Sequence, residues 1–339
     1  MIDIWPLNIF IDGITRPAAY FINPAQRLFI PALLTSLLMA AGAYFYYQRK
    51  GRLGAGASIS NMLAYLFPKR IWTHKSSVVD YEIIFFNSVL YLFLIAPFLV
   101  HFALMTDFVR TLWVSGFGEA TQRNLSHTNI LVIYTLAIFF IDDFFRFFQH
   151  WLFHKIPVMW AFHKVHHAAE VLTPFTNYRS HPCEEFIFHC RRVFSYGLIT
   201  GTFLYFVGNN LSLLDIFYAS TARIVFNHIG SNLRHSHIWI SWGTVMEHVF
   251  ISPAQHQIHH SVAPEHRDKN LGSALAIWDW MFGSLVVATE QKDLSLGIGD
   301  DQNKRFRSLW GALSSPFIDT GEMIVSFPQT LKRLTSARR

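Results

Sequence analysis

Two short stretches of the chain concentrate its histidines. Residues 150–167 read HWLFHKIPVMWAFHKVHH, and residues 256–260 read HQIHH. Together they contain one HxxxH motif and two HxxHH motifs. Residues three and four apart lie on one face of an α-helix, with their side chains about one turn apart. The spacing therefore predicts helices that each aim two imidazole rings at one point.

The number of these rings indicates more than one metal ion. Of the 18 histidines, 15 lie between residues 150 and 266, a bias that neither core packing nor solubility requires. In each HxxHH motif the third ring points about 100° away around the helix, so it can reach a second point nearby. Imidazole nitrogen suits Fe, Zn, Cu and Ni, and eight such ligands exceed what one ion accepts. The eight are His150, His154, His163, His166, His167, His256, His259 and His260.

Other polar residues near the motifs are candidates for the same site. His228 follows the fourth predicted membrane span at the depth expected for the first motif, and we take it as a ninth ligand. Asn232 lies one helical turn further on and could bind a metal or a metal-bound water. His181 precedes Pro182, which favours a turn over a ligand helix. The remaining histidines of this region are interpreted as solvated or supporting residues: His189, His235, His237, His248 and His266.

Acidic residues flank the motifs. A metal-bound imidazole usually donates its other N–H to a carboxylate or carbonyl. Asp142 and Asp143 precede His150, and Glu184 and Glu185 follow His181. They are candidates to accept those hydrogen bonds, and the alternative is that they are helix-end or surface charges.

The composition predicts a membrane protein. Of the 339 residues, 52% are apolar and only 15% are charged. Because Lys and Arg lie mostly beside apolar runs, the net charge of +6 favours a membrane over nucleic acid as the partner. No cleaved signal peptide is evident at the N-terminus. The apolar runs are 28–47, 83–105, 130–141, 193–207 and 211–226, the last two forming a helical hairpin.

These runs predict an all-α integral membrane fold of about four transmembrane helices. Basic residues between 49 and 75 make the first loop cytoplasmic by the positive-inside rule, so the histidine motifs are expected on the cytoplasmic side. Residues 1–129 form an N-terminal membrane region with two spans and that basic loop. Residues 130–290 form the histidine-bearing domain, and residues 291–339 form a basic cytoplasmic tail.

Other classes of histidine-rich membrane protein fit this pattern less well. Membrane cytochromes bind haem through histidines, but those ligands lie within spans, and each haem needs only two of them. A histidine-rich metal transporter needs ligands at mid-membrane depth, whereas these motifs lie at helix ends and in a polar stretch. A structural zinc site, which would only brace the cytoplasmic cap, uses four ligands per ion and favours cysteine.

At these motifs the chain resembles the fatty acid hydroxylase and sterol desaturase superfamily. The likeness extends to other segments in the same order: WAFHKVHHAAE (160–170), LTPFTNYRSHPCE (172–184), FNHIGSNLRHSH (226–237), ISPAQHQIHHS (251–261) and DKNLGSALAIWDWMFG (268–283). The resemblance implies four membrane helices under a cytosolic helical cap that holds two non-haem iron ions. It assigns the eight motif histidines as ligands, and His228 matches a histidine that follows the last span.

The resemblance also implies a reaction. Reduced iron would activate O2 to attack a C–H bond of a sterol or other long-chain lipid, with hydroxylation, desaturation and ether cleavage all open. Zinc could replace iron in purified protein, because imidazole binds zinc at least as well. No GxGxxG motif follows a plausible strand. Electrons are therefore expected from a separate carrier, such as cytochrome b5 or a ferredoxin, docked on the basic surface.

Overall fold

The computed structural model describes residues 5–336 except 55, 57, 95–100, 121–124, 209–211, 213–214, 217–218, 220 and 292. This part of the chain is helical and contains no β-strand. The helices are α1 (Trp5–Ile22), α2 (Ile30–Arg49), α3 (Ile59–Leu66), α4 (Lys69–Trp72), α5 (Lys75–Leu94), α6 (His101–Phe117), α7 (His127–Lys155), α8 (Pro157–His167), α9 (Pro182–Val207), α10 (Thr221–His228), α11 (Gly243–Met246), α12 (Pro253–His259), α13 (Ile277–Phe282), α14 (Asp300–Asn303) and α15 (Leu309–Ser336).

Among the described residues, α2 is the one helix long and apolar enough to cross a membrane. Its 20 residues extend about 30 Å at 1.5 Å per residue. One face is buried through a stripe that includes Ala32, Ala40 and Tyr44, while large apolar side chains such as Leu34 and Leu38 are exposed. The helix therefore packs on the protein along one side only.

Both ends of α2 contact the histidine-bearing part of the chain. Before the helix, the Arg27 carbonyl accepts a hydrogen bond from Asn232 Nδ2 at 2.7 Å, and Arg27 Nη1 donates to Asn177 at 2.9 Å. Near the other end, the Tyr47 hydroxyl donates to the Trp239 carbonyl at 2.7 Å. Because both ends of α2 contact this part of the chain, these contacts do not show near which end of α2 the histidine motifs lie.

The other predicted spans fall on longer helices or outside the described residues. The run 83–105 covers the end of α5 and the start of α6, with residues 95–100 between them outside the described part. The run 130–141 is the first half of α7, and 193–207 is the second half of α9. Most of 211–220 lies outside the described residues. The all-helical class is confirmed, and the count of four membrane helices stays a prediction.

Two glycines bring α6 and α9 close together. Gly197 and Gly201 are four residues apart and so lie on one face of α9. A Cβ atom at Gly201 would lie 2.5 Å from the Thr106 carbonyl oxygen, and one at Gly197 would lie 2.5 Å from Met105 Cγ. Small residues at this spacing allow two helices to pack backbone against backbone.

A buried arginine joins the elements around the histidine motifs. Arg179 is fully buried and pairs with Asp80 on α5 at 2.9 Å. Its guanidinium also donates to the carbonyl oxygens of Val165 on α8, Ser76 on α5 and Phe306 near the C-terminal helix, at 2.7–3.0 Å. Arg179 therefore fixes α8 relative to α5 and to the chain just before α15.

The predicted basic tail contains a long packed helix. On α15, Asp319 pairs with Lys164 of α8 and with Arg305. Phe317 lies edge-on against Phe162 of α8, with ring centroids 5.3 Å apart. The C-terminal region is thus docked on the helix that carries the FHKVHH motif.

Candidate metal centre

Five histidine rings meet at one point, which we call the five-histidine cluster. One nitrogen from each ring lies within 4.8 Å of the nitrogens of all the others. The rings come from three helices, α7, α8 and α12. Helix α8 begins at Pro157, directly after α7 ends at Lys155. The members are His150, His154, His163, His167 and His259.

A second group lies beside the first, and we call it the four-histidine cluster. Its ring nitrogens also lie within 4.8 Å of one another, and its members are His166, His235, His256 and His260. The two clusters are in direct contact, since the rings of His167 and His260 are stacked with their centroids 4.7 Å apart. Together they form one continuous group of nine imidazoles.

Helical spacing explains how each HxxHH motif serves both clusters. His163 and His167 are four apart and face the five-histidine cluster, whereas His166 is turned toward the other. On α12 the division is reversed, because His259 joins the five-histidine cluster and His256 the four-histidine cluster. The sequence-based expectation that the motifs reach two neighbouring points agrees with this geometry.

Most rings of the five-histidine cluster are anchored through their outer nitrogen. In each case Nδ1 faces a backbone carbonyl or a carboxylate. The pairs are His150 with the Leu271 carbonyl at 2.7 Å, His154 with Asp268 at 3.3 Å, His163 with Glu184 at 2.6 Å and His259 with the Lys269 carbonyl at 2.8 Å. Since a carbonyl oxygen only accepts, Nδ1 carries the proton on those rings and Nε2 presents a lone pair.

The inward nitrogens have no donor to satisfy them. Nε2 of His150 lies 3.1 Å from Nε2 of His163, and the buried Nε2 atoms of His154, His167 and His259 have no hydrogen-bond partner. Buried lone pairs that face one another are costly unless a cation lies between them. The donor set of converging imidazole nitrogens therefore fits a bound transition metal or zinc ion.

The four-histidine cluster shows the same convergence. Nε2 of His235 lies 3.0–3.2 Å from Nε2 of His166, His256 and His260. On the outer side, Nδ1 of His166 faces the Arg179 carbonyl at 3.3 Å. The same donor chemistry therefore applies to a second ion.

Burial keeps all nine rings neutral. Loss of hydration lowers the pKa of every histidine in the two clusters, and it lowers the pKa of His166 to about 4. Neutral imidazole is the form that binds metal ions, so both clusters hold that form at neutral pH.

His235, not His228, is the ninth histidine of the two clusters. The ring of His228 packs against Phe29, with centroids 5.5 Å apart, and belongs to neither cluster. From the sequence alone, His235 is interpreted as a solvated or supporting residue, whereas the structure places it in the four-histidine cluster. It follows the short 3-10 turn Ser231–Arg234, which aims its ring at histidines more than 20 residues away. The only local signal is the polar segment SNLRHSH.

The other candidates have structural roles in the described part of the chain. Asn232 Nδ2 bonds the Arg27 carbonyl, and His181 caps α9 by accepting from the Cys183 N–H at 3.1 Å, as the following proline predicts. Of the four candidate acids, Glu184 contacts a cluster histidine. The other three bond elsewhere: Asp142 to Arg191, Asp143 to the 274–278 segment, and Glu185 to Ser180.

Comparison with known proteins agrees with this arrangement. Residues 135–284, which contain every cluster histidine, match the family model described as fatty acid hydroxylase. The chain is 24% identical over 183 residues to an alkylglycerol monooxygenase of Caenorhabditis elegans, covering 51% of the chain and 32% of that protein. It is 26% identical to the enzymes of that name from Xenopus tropicalis (149 residues; 44% and 30%) and Homo sapiens (152 residues; 44% and 30%).

The matched region thus spans about a third of the length of each of these relatives. No solved structure shows a significant match. The match of residues 135–284, with the order and clustering of the histidines, supports the resemblance of this part of the chain to the fatty acid hydroxylase and sterol desaturase superfamily.

Proposed function

We propose that this protein is a membrane oxygenase that binds two iron ions in its histidine clusters and uses O2 and external electrons to oxidise a C–H bond of a lipid. The observation that carries the proposal is the convergence of nine buried imidazoles on two adjacent points. The match to the fatty acid hydroxylase family model and the likeness to alkylglycerol monooxygenases support an oxidoreductase that acts on lipids.

Iron would supply the reductive activation of O2, which no amino-acid side chain provides. The chain's own residues prepare the site for it in three ways. The carboxylate of Glu184 and nearby carbonyls hold the rings in the tautomer that points Nε2 inward. Burial keeps the rings neutral and excludes bulk water from the reaction. Rings from α7, α8 and α12 are held together before substrate arrives.

An ether lipid of the alkylglycerol class is our first candidate substrate, because the relatives carry that name. Hydroxylation of the carbon beside an ether oxygen gives a hemiacetal, which breaks into an aldehyde and a free glycerol. The reaction takes up one O2, two electrons and two protons and releases one water. Sterols and other long-chain lipids are the alternatives that a substrate screen must include.

The exposed apolar side of α2 supports a membrane location. Leu38 is 73% exposed and Leu34 is 53% exposed, so this face needs an apolar surrounding such as lipid. We place the clusters on the cytoplasmic side, as the basic residues between 49 and 75 predict. A separate electron carrier, cytochrome b5 or a ferredoxin, would dock on that basic surface.

The test is metal content and O2 uptake on protein purified in detergent. Wild type is expected to bind about two iron ions per chain and to consume O2 when given reductant and an alkylglycerol. A His166→Ala, His259→Ala double variant removes one ligand from each cluster and should lose both properties. His248→Ala is the matched control, since the His248 ring bonds to the Thr244 carbonyl and contacts Trp280, outside the clusters.

Metal content unchanged in the double variant would refute the metal centre. Two tightly bound zinc ions that iron cannot replace, with no O2 uptake, would favour a structural zinc site instead. Iron binding and O2 uptake with sterols alone would retain the oxygenase and reject the ether substrate.

A further inference from the structure

The outer sides of the two clusters are supported unequally. In the five-histidine cluster, four of the five rings bond through Nδ1 to a carbonyl or carboxylate. In the four-histidine cluster, only His166 does so among the described contacts. The Nδ1 atoms of His235, His256 and His260 are buried and have no hydrogen-bond partner there.

One loop supplies three of the four supports in the five-histidine cluster. We call residues 266–272 the clamp loop. Its three acceptors are the Asp268 carboxylate, the Lys269 carbonyl and the Leu271 carbonyl, which face His154, His259 and His150 respectively. A single short segment therefore orients histidines from α7 and α12 together.

The clamp loop is held in place independently of any metal. Asn270 is fully buried and has φ +54°, a left-handed conformation that asparagine tolerates better than most residues. Its Nδ2 donates to the Gln255 carbonyl at 3.0 Å, and its Oδ1 accepts from the Val286 N–H at 2.7 Å. The carboxylate of Asp279 accepts from the N–H groups of the last two loop residues at 2.7 Å.

Asp268 also adopts a left-handed backbone, with φ +56°. Two such residues in one short loop persist only where the surroundings fix them. Asp268 pairs with Lys155 at 2.7 Å as well as with His154, which steadies the carboxylate. The loop's acceptors are therefore in position before an ion binds.

Outer hydrogen bonds fix a ligand ring's orientation and raise its basicity, and their removal weakens metal binding about 10–100-fold. Rings without such partners must be oriented by the ion itself. From this contrast we infer that the two clusters retain metal unequally: the clamp loop makes the five-histidine cluster the tight site, and the four-histidine cluster exchanges its ion first.

In this scheme Asn270 and Asp268 are positioning residues that act through the histidines they orient. The inference rests on the proposed function only in requiring that both clusters bind a metal ion.

The experiment follows zinc release from protein loaded with two zinc ions per chain and mixed with excess chelating dye. Wild type is expected to release zinc in two phases of equal amplitude, with rates at least about 10-fold apart. His256→Ala should abolish the fast phase and His154→Ala the slow phase. This pair of variants assigns each phase to its cluster.

Asn270→Gly keeps the left-handed backbone but removes both side-chain hydrogen bonds, and Asp268→Asn is a milder change at a partly exposed site. Each is expected to speed the slow phase about 10–100-fold and to leave the fast phase unchanged. Asn303→Gly is the matched control. Asn303 is equally buried and accepts from the Ile298 N–H at 2.9 Å, but it touches neither cluster.

Release of zinc from the wild-type protein in one phase, or a fast phase that survives His256→Ala, would overturn the inference and leave the proposed function intact. Equal acceleration of both phases by Asp268→Asn and Asn270→Gly would also overturn it, because general loosening of the fold would explain that result. A wild-type protein that binds no metal would instead refute the proposed function itself.

Discussion

Removal of the Asp80 carboxylate should destabilise the protein strongly. Asp80 and Arg179 are both fully buried, with Asp80 Oδ1 2.9 Å from Arg179 Nη1. Asp80 Oδ2 also accepts from the Thr176 hydroxyl at 2.6 Å. Asp80→Ala leaves a buried guanidinium with carbonyl acceptors but no counter-charge, and it removes the acceptor to which the Thr176 hydroxyl donates.

Loss of one partner of a buried ion pair costs about 3–5 kcal/mol. The entropy of unfolding is about 2.1 cal/mol/K per residue, so for a chain of 339 residues each kcal/mol lowers the thermal midpoint by about 1.4 °C. The midpoint should therefore fall by roughly 4–7 °C. Asp80→Asn removes the charge and keeps one of the two oxygen acceptors, so we expect a smaller cost of about 1.5–3 kcal/mol. The difference between the two variants measures what the remaining acceptor contributes.

The assay is thermal and denaturant unfolding in one detergent, with metal content measured in parallel. Glu170→Ala is the control, because Glu170 pairs with the exposed Arg307 and should cost less than about 1 kcal/mol. Metal content should also fall in Asp80→Ala, since the Arg179 carbonyl orients His166. An Asp80→Ala protein whose free energy of unfolding lies within about 1 kcal/mol of wild type would refute the view that this ion pair holds α8 against α5.

Three further predictions concern packing, ligand orientation and pH. Gly201→Ala should lower the free energy of unfolding by about 1–3 kcal/mol, because the added methyl meets the backbone of α6. Gly116→Ala, on the open side of α6, should be neutral or mildly stabilising. The midpoints of unfolding of the two variants test this difference. Glu184→Gln should weaken metal binding about 10–100-fold in a competition titration, with unchanged affinity counting against its role. In metal-free protein the pKa of His166 is about 4, below the ordinary imidazole value near 6.5. Between these two pH values the unfolded state therefore binds more protons than the folded state. The free energy of unfolding should fall as the pH decreases from about 6.5 to 4, and a flat profile would contradict this prediction.

The spacing of the motifs was enough to place eight of the nine rings. His150 and His154, or His163 and His167, are related by one helical turn, which is a local property that sequence encodes directly. His235 was missed because a 3-10 turn and contacts with distant helices orient it. Metal binding by these rings stays a prediction that the geometry supports.

The supports of the rings were less predictable than the rings themselves. Backbone carbonyls carry no sequence signature, so the roles of Lys269 and Leu271 could not be read from their side chains. Proximity in sequence was also a poor guide among the acids. Asp143 lies seven residues before His150 but bonds the N–H groups of Ala274 and Leu275 instead.

The membrane-spanning helices were predictable only where the length of an apolar run decides them. Apolar run length identified α2 well, since it depends on composition alone. The apolar run 130–141 is followed by polar residues without a break in the helix, so α7 contains both the apolar run and the first two cluster histidines. Where such a helix leaves a bilayer depends on surrounding helices and lipid, which the run itself does not encode.

The wide separation of the ligands along the chain has a consequence for biogenesis. The five-histidine cluster joins α7 to α12, so its first and last members, His150 and His259, are more than a hundred residues apart. During translation the early rings emerge without the partners that complete either cluster. Under the proposed function, metal insertion would be a late step that waits for α12, and a chain truncated before residue 256 would carry two incomplete clusters.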